Sequence, residues 1–443
     1  MSGLNSVNPL LAKLLLVVLL TLMLLLPLSR VEGLIAERAK LRDSAVARVA
    51  NGVGHAQSIG AVMMVVPVTR TWVDNGKEYS ATKRHRVLAG SVVVTGTVDS
   101  ASRRSGIYTV PTFKATLHIA GSISDELLME ARAPEPGVSK KIGNMSLFMA
   151  VSDPTGIRAL TGIQVDGKLV PVNAATEAGL QGVSAQLISA TSDIPPRRRE
   201  FAVDLVVSGT ERLQILPFAE ATHVKLQSSW PSPSFSGAFS PDAPPQVGPH
   251  GFSADWHVLQ INRSYPQSWA GNAVSEADLA KSAFGVDFYQ PVDAYQRDYR
   301  AIHYAVLFIA LTFMGLFLWE HTLGRRVHPM QYAMTGAALS VFYLVLTALS
   351  EHLDFAGSYT LAAGAMTLLL SAYFSGVLQS RSAGAVTGVL AGVCYSLLYL
   401  LVLSEDYALL FGALAIFFLL AITMIATRKL DWYRVAESHK VRS

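Results

Sequence analysis

A single cysteine, Cys394, is present among the 443 residues, so the chain cannot form an internal disulfide. Each domain must therefore be stabilised by its own hydrophobic core. The sequence also lacks G-x-S-x-G, P-loop, H-E-x-x-H and C-x-x-C motifs. These absences predict a protein that is not an enzyme, with no catalytic residues, no cofactor and no assigned metal ligands.

Charged residues are scarce, at 15% of the chain, whereas hydrophobic residues make up 51%. The distribution is uneven: residues 30–300 contain 27 Lys/Arg and 25 Asp/Glu, while residues 301–443 contain only 8 and 7. The first region has the charge density of a soluble domain and is nearly neutral. The net charge of +4 is therefore not a signal of nucleic-acid binding.

The first apolar run, Leu10–Leu28, contains Lys13 as its only charged residue. A helix needs about 20 apolar residues to cross a hydrocarbon core of about 30 Å, whereas the apolar part of a cleaved signal peptide has about 7–15. The run is long, and no Ala-x-Ala site follows it directly. We therefore predict an uncleaved transmembrane anchor in residues 1–29, with a cleaved signal peptide as the alternative.

Five further runs of about 20 residues contain no Asp, Glu, Lys or Arg; they are Ile302–Trp319, Met330–Leu349, Gly357–Leu378, Gly384–Leu403 and Tyr407–Thr427. Consecutive uncharged runs of this length are typical of spanning helices. The sequence thus predicts a membrane protein with six transmembrane α-helices. One precedes residues 30–300, and five form a bundle in residues 301–443 that embeds the protein in the lipid bilayer.

Basic residues in the connections predict the orientation of these helices. Eight of them fall on one predicted side of the membrane: Arg325, Arg326, Arg381, Arg428, Lys429, Arg434, Lys440 and Arg442. The alternate connections contain only acidic residues, namely Glu351, Asp354, Glu405 and Asp406. Short loops rich in Lys and Arg stay in the cytoplasm. Both termini are therefore predicted to be cytoplasmic, with residues 30–300 in the periplasm of a bacterium.

Alternating or β-branched segments recur in residues 30–300 and predict strands; they are Ala61–Thr71, Leu88–Asp99, Gly106–Ser122, Lys141–Ser152, Phe201–Ser208, Leu213–Phe218, His223–Trp230, Phe252–Ile261 and Phe284–Tyr289. Asp166-Gly167 is a hairpin turn signal. Because no long helix separates the strands, we predict a large, mostly β, antiparallel, sandwich-like domain, in one or two units. Residues Val31–Ala50 are predicted to extend the first helix.

The segment from Trp230 to Phe235 carries aromatic residues between prolines, within an irregular Pro-rich loop over residues 231–249. A stiff loop with exposed aromatic side chains suits recognition of a cell-wall or protein partner, because little entropy is lost on binding. The alternative is that Trp230 and Phe235 fill the core of the β domain, and we favour it.

Two polar clusters are predicted at the helix ends. Glu351, His352 and Asp354, together with Glu405 and Asp406, are candidates for a metal or proton site if the helices bring them together; an ordinary acidic turn is the favoured alternative. Arg325, Arg326 and His328 lie between the second and third helices, where they anchor the topology or dock a cytoplasmic partner. Pro329 is expected to start the third helix.

Small residues recur every four positions in the fifth helix, at Gly384, Gly388 and Gly392. Such a stripe lets another helix approach closely. Packing within the chain is the favoured interpretation, and helix-mediated self-association is the alternative.

Motifs throughout the chain are similar to those of the CreD family of bacterial inner-membrane proteins: Gly106–Thr109, Ser208–Thr210, Ser229–Phe239, Pro291–Arg300, Ala310–Glu320, Val327–Tyr332, Phe342–Phe355 and Thr427–Tyr433. The resemblance implies an inner-membrane protein linked to envelope integrity, whose relatives belong to the regulon of the CreBC two-component system. It also implies an association with β-lactam and colicin tolerance. No reaction and no catalytic residues follow from it.

Three functions stay open on the sequence. The first is envelope maintenance or stress tolerance through binding by the periplasmic domain. The second is a transporter or permease component that uses the five-helix bundle. The third is a receptor that signals inward through the second helix, with Asp293–Arg300 as a rigid lead-in.

Overall fold

The computed structural model describes residues 9–124, 126–128, 135–187, 197–288, 294–323, 327–404 and 408–427. The chain forms two compact units. One unit contains Met1–Leu41 and Val292–Ser443, and the other contains Arg42–Pro291. The first holds the apolar helices and the second holds the β domain.

The N-terminal helix, α1, runs without a break over Pro9–Val53, with Pro27 inside it. Its 45 residues extend for about 68 Å, more than twice the thickness of a hydrocarbon core. Its apolar first half is followed by a charged second half that starts at Arg30. The prediction that Val31–Ala50 continues the first helix is therefore confirmed.

The other helices are α2 (Glu276–Ala280), α3 (Ala294–His303), α4 (Ala305–Leu323), α5 (Pro329–Ser350), α6 (Phe355–Val377), α7 (Arg381–Leu403) and α8 (Ala408–Thr427). Among the described residues, α1, α5, α6 and α7 are long and apolar enough to span a membrane. A fifth span is present if α3 and α4 count as one bent helix. The sixth predicted run forms α8, and the count of six spanning helices stays a prediction.

The second predicted span is not a straight helix. The axes of α3 and α4 meet at 47°, with Tyr304 between them. The bend falls where the charged sequence of α3 changes to the apolar sequence of α4. The described part of the predicted lead-in, residues 294–300, lies within the single helix α3, and its role as a rigid element stays a prediction.

The described part of the β domain contains eighteen strands: β1 (Gln57–Asp74), β2 (Lys77–Ser105), β3 (Tyr108–Ser124), β4 (Val138–Ile142), β5 (Ser146–Val151), β6 (Ile157–Leu160), β7 (Ile163–Val165), β8 (Lys168–Val170), β9 (Val172–Glu177), β10 (Leu180–Gln186), β11 (Arg198–Thr210), β12 (Arg212–Leu216), β13 (Ala219–Ser228), β14 (Ser234–Gly237), β15 (Gln246–Gly248), β16 (Gly251–Leu259), β17 (Ser268–Ala270) and β18 (Phe284–Asp287).

These strands form two sheets that share β2. Residues 77–88 of β2 pair with β1 in the first sheet, and residues 91–105 pair with β3 in the second. Side chains from both sheets, among them Met63, Phe148, Val94 and Leu117, belong to one hydrophobic core. Most pairings are antiparallel, as predicted; β1–β12 and β2–β13 are parallel, which the local sequence pattern did not indicate.

Tight turns connect several of these strands. The predicted hairpin at Asp166-Gly167 is confirmed, with φ of 49° and 78° in the turn between β7 and β8. Asn75-Gly76, which the sequence analysis did not single out, forms the same kind of turn between β1 and β2. The strand expected to begin at Gly106 begins at Tyr108 instead, because Gly106 has φ of 65° and belongs to the turn.

The Pro-rich loop over residues 231–249 is more ordered than predicted. It contains β14, which pairs with β18, and β15, which pairs with β16. The prolines lie between or beside these short strands, where a missing N–H group costs no ladder hydrogen bond.

Candidate functional site

Trp230 and Phe235 are half-buried and pack against the hydrophobic core of the β domain. The ring of Phe235 lies 5.5 Å from that of Phe252, and the ring of Trp230 lies 6.3 Å from that of Phe288. The indole Nε1 of Trp230 donates to the Ser232 carbonyl at 2.9 Å, which satisfies its polar edge within the same segment. These contacts place the two rings as core-filling groups at the edge of the domain.

An open cleft of about 650 Å³ lies beside this segment, over the ends of β15, β16, β13 and β2, which are neighbouring strands of the second sheet. Its lining supplies a carboxylate, an imidazole, two amides and hydroxyls from Asp99, His250, Gln227, Gln246, Thr97 and Ser253. Clefts of about 300–1,000 Å³ with convergent polar groups are the usual form of ligand sites. Sequence reasoning missed this cleft because its walls come from three segments far apart in the chain.

A second polar cluster joins the end of α1 to the β domain. The Ser208 hydroxyl donates to the Val53 carbonyl at 2.6 Å, and Arg158 donates to the same oxygen at 2.6 Å. A cation and a hydroxyl thus satisfy carbonyl groups that a helix leaves unpaired at its C-terminus. Ser208 and Thr210 belong to the SGT motif noted in the sequence, so that motif has a structural role here.

Asp153 holds the start of β1 in this junction. Its carboxylate accepts from the His55 backbone N–H at 2.8 Å and from the Thr155 hydroxyl at 2.6 Å. Burial opposes ionisation of Asp153, but the hydrogen bonds from Thr155 and His55 outweigh it and lower its pKa to about 2. The carboxylate therefore serves as a fixed acceptor.

The predicted acidic cluster is only partly described. Glu351 ends α5 and forms an ion pair with Arg38 of α1 at 3.3 Å. Asp354 caps the start of α6 by accepting from the Gly357 N–H, while His352 is exposed. Glu405 and Asp406 lie outside the described residues. Within the described ranges, no group of three His, Cys, Asp or Glu side chains is close enough to hold a metal ion.

The basic turn before α5 is also partly described. Arg325 and Arg326 lie outside the described residues. His328 caps α5, because its Nδ1 accepts from the Met330 N–H at 3.2 Å and Pro329 is the first helical residue. The expectation that Pro329 starts this helix is confirmed.

The three glycines of α7 differ in their surroundings. A Cβ added to Gly384 would lie 2.6 Å from the Ser371 carbonyl oxygen of α6, and one on Gly388 would lie 3.2 Å from the Ser371 side chain. A Cβ on Gly392 would meet no atom within 4 Å. Two of the glycines therefore pack α7 against α6 within the chain, whereas the third faces open space.

A column of buried hydroxyl groups follows one face of α5, and the sequence analysis did not identify it. Its members are Tyr332, Thr335, Ser340, Tyr343, Thr347 and Ser350. At one end the Tyr332 hydroxyl donates to Glu320 at 3.2 Å, and at the other the Ser350 hydroxyl donates to Asp298 at 3.2 Å. The column extends for about 27 Å, close to the thickness of a hydrocarbon core.

Three buried hydroxyl groups, one on each of α5, α6 and α7, lack a hydrogen-bond partner in the described part of the chain. Tyr343, Ser358 and Tyr395 are at most 2% exposed, and their hydroxyl oxygens have no hydrogen-bond partner among the described residues. An unpaired polar group inside a membrane bundle is costly unless water or a ligand satisfies it. The side chains between these helices are therefore more polar than the uncharged apolar runs indicate.

The apolar helices and the β domain together define an integral membrane protein with a large β domain between its first helix and its later helices. The family model of the inner membrane protein CreD matches residues 9–433. The inner membrane protein CreD of Escherichia coli strain K12 is 31% identical over 431 residues, which cover 93% of this chain and 91% of that protein. The chain belongs to the CreD family of inner membrane proteins, and the resemblance noted in the sequence is confirmed.

Proposed function

We propose that this protein supports envelope integrity and stress tolerance from the inner membrane by binding envelope material in the cleft of its β domain. The termini face the cytoplasm and the β domain faces the periplasm in this proposal. The gathering of basic residues in alternate connections supports that orientation. The proposed role is binding and not catalysis.

The cleft over the neighbouring ends of β15, β16, β13 and β2 is the observation that carries this proposal. Its amide, hydroxyl, carboxylate and imidazole groups match the amides and hydroxyls of a cell-wall peptide or glycan. The walls are held in place: the Ser228 hydroxyl donates to the Val98 carbonyl at 2.8 Å, and the hydroxyls of Ser100 and Ser229 lie 3.2 Å apart. A preformed cleft loses little entropy on binding.

Binding can be tested with the full-length protein in detergent and insoluble cell-wall sacculi. We expect co-sedimentation of the wild type and a loss of at least about tenfold in affinity for the double variant Asp99→Asn, His250→Ala, since two hydrogen bonds to the ligand of about 1 kcal/mol each are lost. Asp74→Asn, at an exposed hairpin end outside the cleft, is the control and should bind as the wild type does. Equal binding of all three proteins would contradict the proposal.

The orientation has its own test. Ile107 is 50% exposed at the β2–β3 hairpin, so Ile107→Cys in a Cys394→Ser background provides one accessible thiol. We expect a membrane-impermeant maleimide to label it in spheroplasts without lysis. Labelling only after lysis would place the β domain in the cytoplasm and reverse the topology.

Transport by the helix bundle is a second candidate, and the column of hydroxyls between Glu320 and Asp298 favours it. Hydroxyls spaced about 5 Å apart along a helix can be joined by bridging waters into a path for protons. The two candidates separate in a deletion strain. If Tyr343→Phe fails to restore β-lactam and colicin tolerance while the cleft variant restores it, transport replaces binding as the proposed function.

A further inference from the structure

A groove of about 670 Å³ lies between α6 and α7 and is open on one side. Its exposed rim is formed by Thr360, Gly364 and Leu368 of α6 and by Gly392, Ser396 and Leu400 of α7. Both helices are long and apolar enough to span the membrane, so the medium next to the groove is lipid.

The groove exists because two side chains are missing from its walls. A Cβ on Gly364 or on Gly392 would meet no atom within 4 Å. Farther along, at Gly384, a Cβ would lie 2.6 Å from the Ser371 carbonyl oxygen, so there the two helices are in close contact. The space is therefore confined to one part of the helix pair.

The length of the groove matches one leaflet of a bilayer. Along α6 it extends from Thr360 to Leu368, about 12 Å at 1.5 Å per residue. Half of a hydrocarbon core is about 15 Å thick. One acyl chain lying along the helices would fill such a groove.

The end of the groove near the start of α6 has the features of a membrane interface. The rings of Phe355, Tyr359 and Tyr399 are clustered there, with Phe355 and Tyr399 stacked at 6.3 Å and Tyr359 and Tyr399 at 5.0 Å. Aromatic side chains of this kind lie at the level of the lipid headgroups. The guanidinium of Arg297 lies over the Phe355 ring, 5.4 Å from its centre. Arginine binds phosphate through paired N–H groups.

Acidic groups also lie near this end of the groove. Glu351 is paired with Arg38, Asp298 accepts from the Ser350 hydroxyl, and Asp354 accepts from the Gly357 N–H. Tyr395 lines the groove, but its ring packs against Phe308 and Phe342 inside the bundle. The contact for a phosphate is therefore Arg297.

We propose that the groove between α6 and α7 is a specific site for a phospholipid, with one acyl chain along Gly364 and Gly392 and the phosphate at Arg297. The lipid completes the packing of the helix pair where the glycines leave it open. Its binding stabilises the bundle, since a ligand that binds only the folded state shifts the unfolding equilibrium.

The experiment measures the thermal midpoint of the full-length protein in detergent as phospholipid is added in mixed micelles. We expect a rise of about 5 °C for the wild type. Gly392→Leu fills the groove without a clash and should reduce that rise to less than about 1 °C. Gly376→Leu is the matched control, because it lies on α6 outside the groove, a Cβ there also meets no atom within 4 Å, and the rise should persist.

Arg297→Gln and diacylglycerol test the phosphate contact. For the wild type, the concentration of diacylglycerol that gives half of the rise in thermal midpoint should be at least about tenfold higher than that of phospholipid, because diacylglycerol lacks the phosphate. Arg297→Gln should need equally high concentrations of both lipids. An unchanged rise for Gly392→Leu would overturn the site. Equal responses of the wild type to both lipids would overturn the phosphate assignment. A change of oligomeric mass in Gly392→Leu, with lipid response unaltered, would assign the groove to a second copy and also overturn the proposal.

Discussion

The hydroxyl of Ser208 in β11 donates a hydrogen bond of 2.6 Å to the carbonyl oxygen of Val53, the last residue of α1, across 155 positions of sequence. The same hydroxyl accepts from Arg158 Nε at 2.7 Å. The end of the long helix is therefore capped by side chains of the β domain, in addition to the local hydrogen bond from the Gly54 N–H to the Ala50 carbonyl. Four experiments on stability follow from this junction and from the interior of the domain.

Ser208→Ala should destabilise the β domain by about 1–3 kcal/mol, because it removes the buried hydrogen bond to Val53 and leaves the Nε of Arg158 without its acceptor. Thermal unfolding followed by tryptophan fluorescence measures the change. Ser100→Ala, in an exposed hydroxyl pair with Ser229, is the control and should change stability by less than about 0.5 kcal/mol. Equal effects of the two variants would show that the cap contributes nothing.

Gly54→Ala and Gly52→Ala should have opposite effects. Gly54 has φ of 115°, and a Cβ there would lie 2.6 Å from the Ser208 carbonyl oxygen, so we expect a loss of about 3 kcal/mol. Gly52 lies in the last turn of α1 with no atom within 4 Å of an added Cβ, and alanine should add up to about 1 kcal/mol through helix propensity. Chemical denaturation measures the sign of the change in the free energy of unfolding for each variant. A decrease for Gly52→Ala as large as that for Gly54→Ala would contradict this account.

Glu177→Gln should cost about 3 kcal/mol, because the Glu177 side chain is 8% exposed and pairs with Arg86, whose side chain is 6% exposed. Removing one charge leaves the other buried without compensation. The Arg70–Glu135 pair is the matched control, with side chains 38% and 41% exposed. Glu135→Gln should therefore cost less than about 1 kcal/mol. A comparable fall in thermal midpoint for both variants would contradict the expected difference between the buried and the exposed ion pair.

Asp153 should make stability depend on acid pH. Its pKa is about 2 in the folded protein against an ordinary value of 3.8, so the folded state favours the carboxylate. The stabilisation is complete above about pH 4 and is lost as the pH falls towards 2. The thermal midpoints of wild type and Asp153→Ala should differ most above pH 5 and converge near pH 2. Thr155→Val removes one hydrogen bond to the carboxylate and should shift the acid-induced loss of stability to higher pH. A difference in thermal midpoint between wild type and Asp153→Ala that did not change with pH would exclude this carboxylate as the cause.

The apolar runs, most of the strands and the start of α5 could be predicted because each depends on a local pattern. Alternation of side chains marks β strands wherever one face is buried, and Pro329 fits the first turn of a helix. The parallel pairings of β1 with β12 and of β2 with β13 could not be predicted, since they join residues more than 100 positions apart. No local sequence pattern indicates which strand pairs with which.

The candidate sites were harder to predict than the fold. The cleft combines residues near 98, 228 and 250, and the contact between Asp298 and Ser350 joins two helices that are not consecutive. Single hydroxyls in an apolar helix, such as Tyr343, give no signal until their neighbours are known. The glycine stripe was visible in the sequence, but only the surroundings of Gly384 and Gly392 show that one packs and the other faces open space.

β2 connects the two sheets, because residues 77–88 pair with β1 in the first and residues 91–105 pair with β3 in the second. In each sheet β2 has a neighbour on both sides, so loss of this strand disrupts both sheets. The domain should accordingly unfold as one cooperative unit. A substitution that breaks the hydrogen-bond ladder at one end of β2 should also destabilise the pairing at its other end.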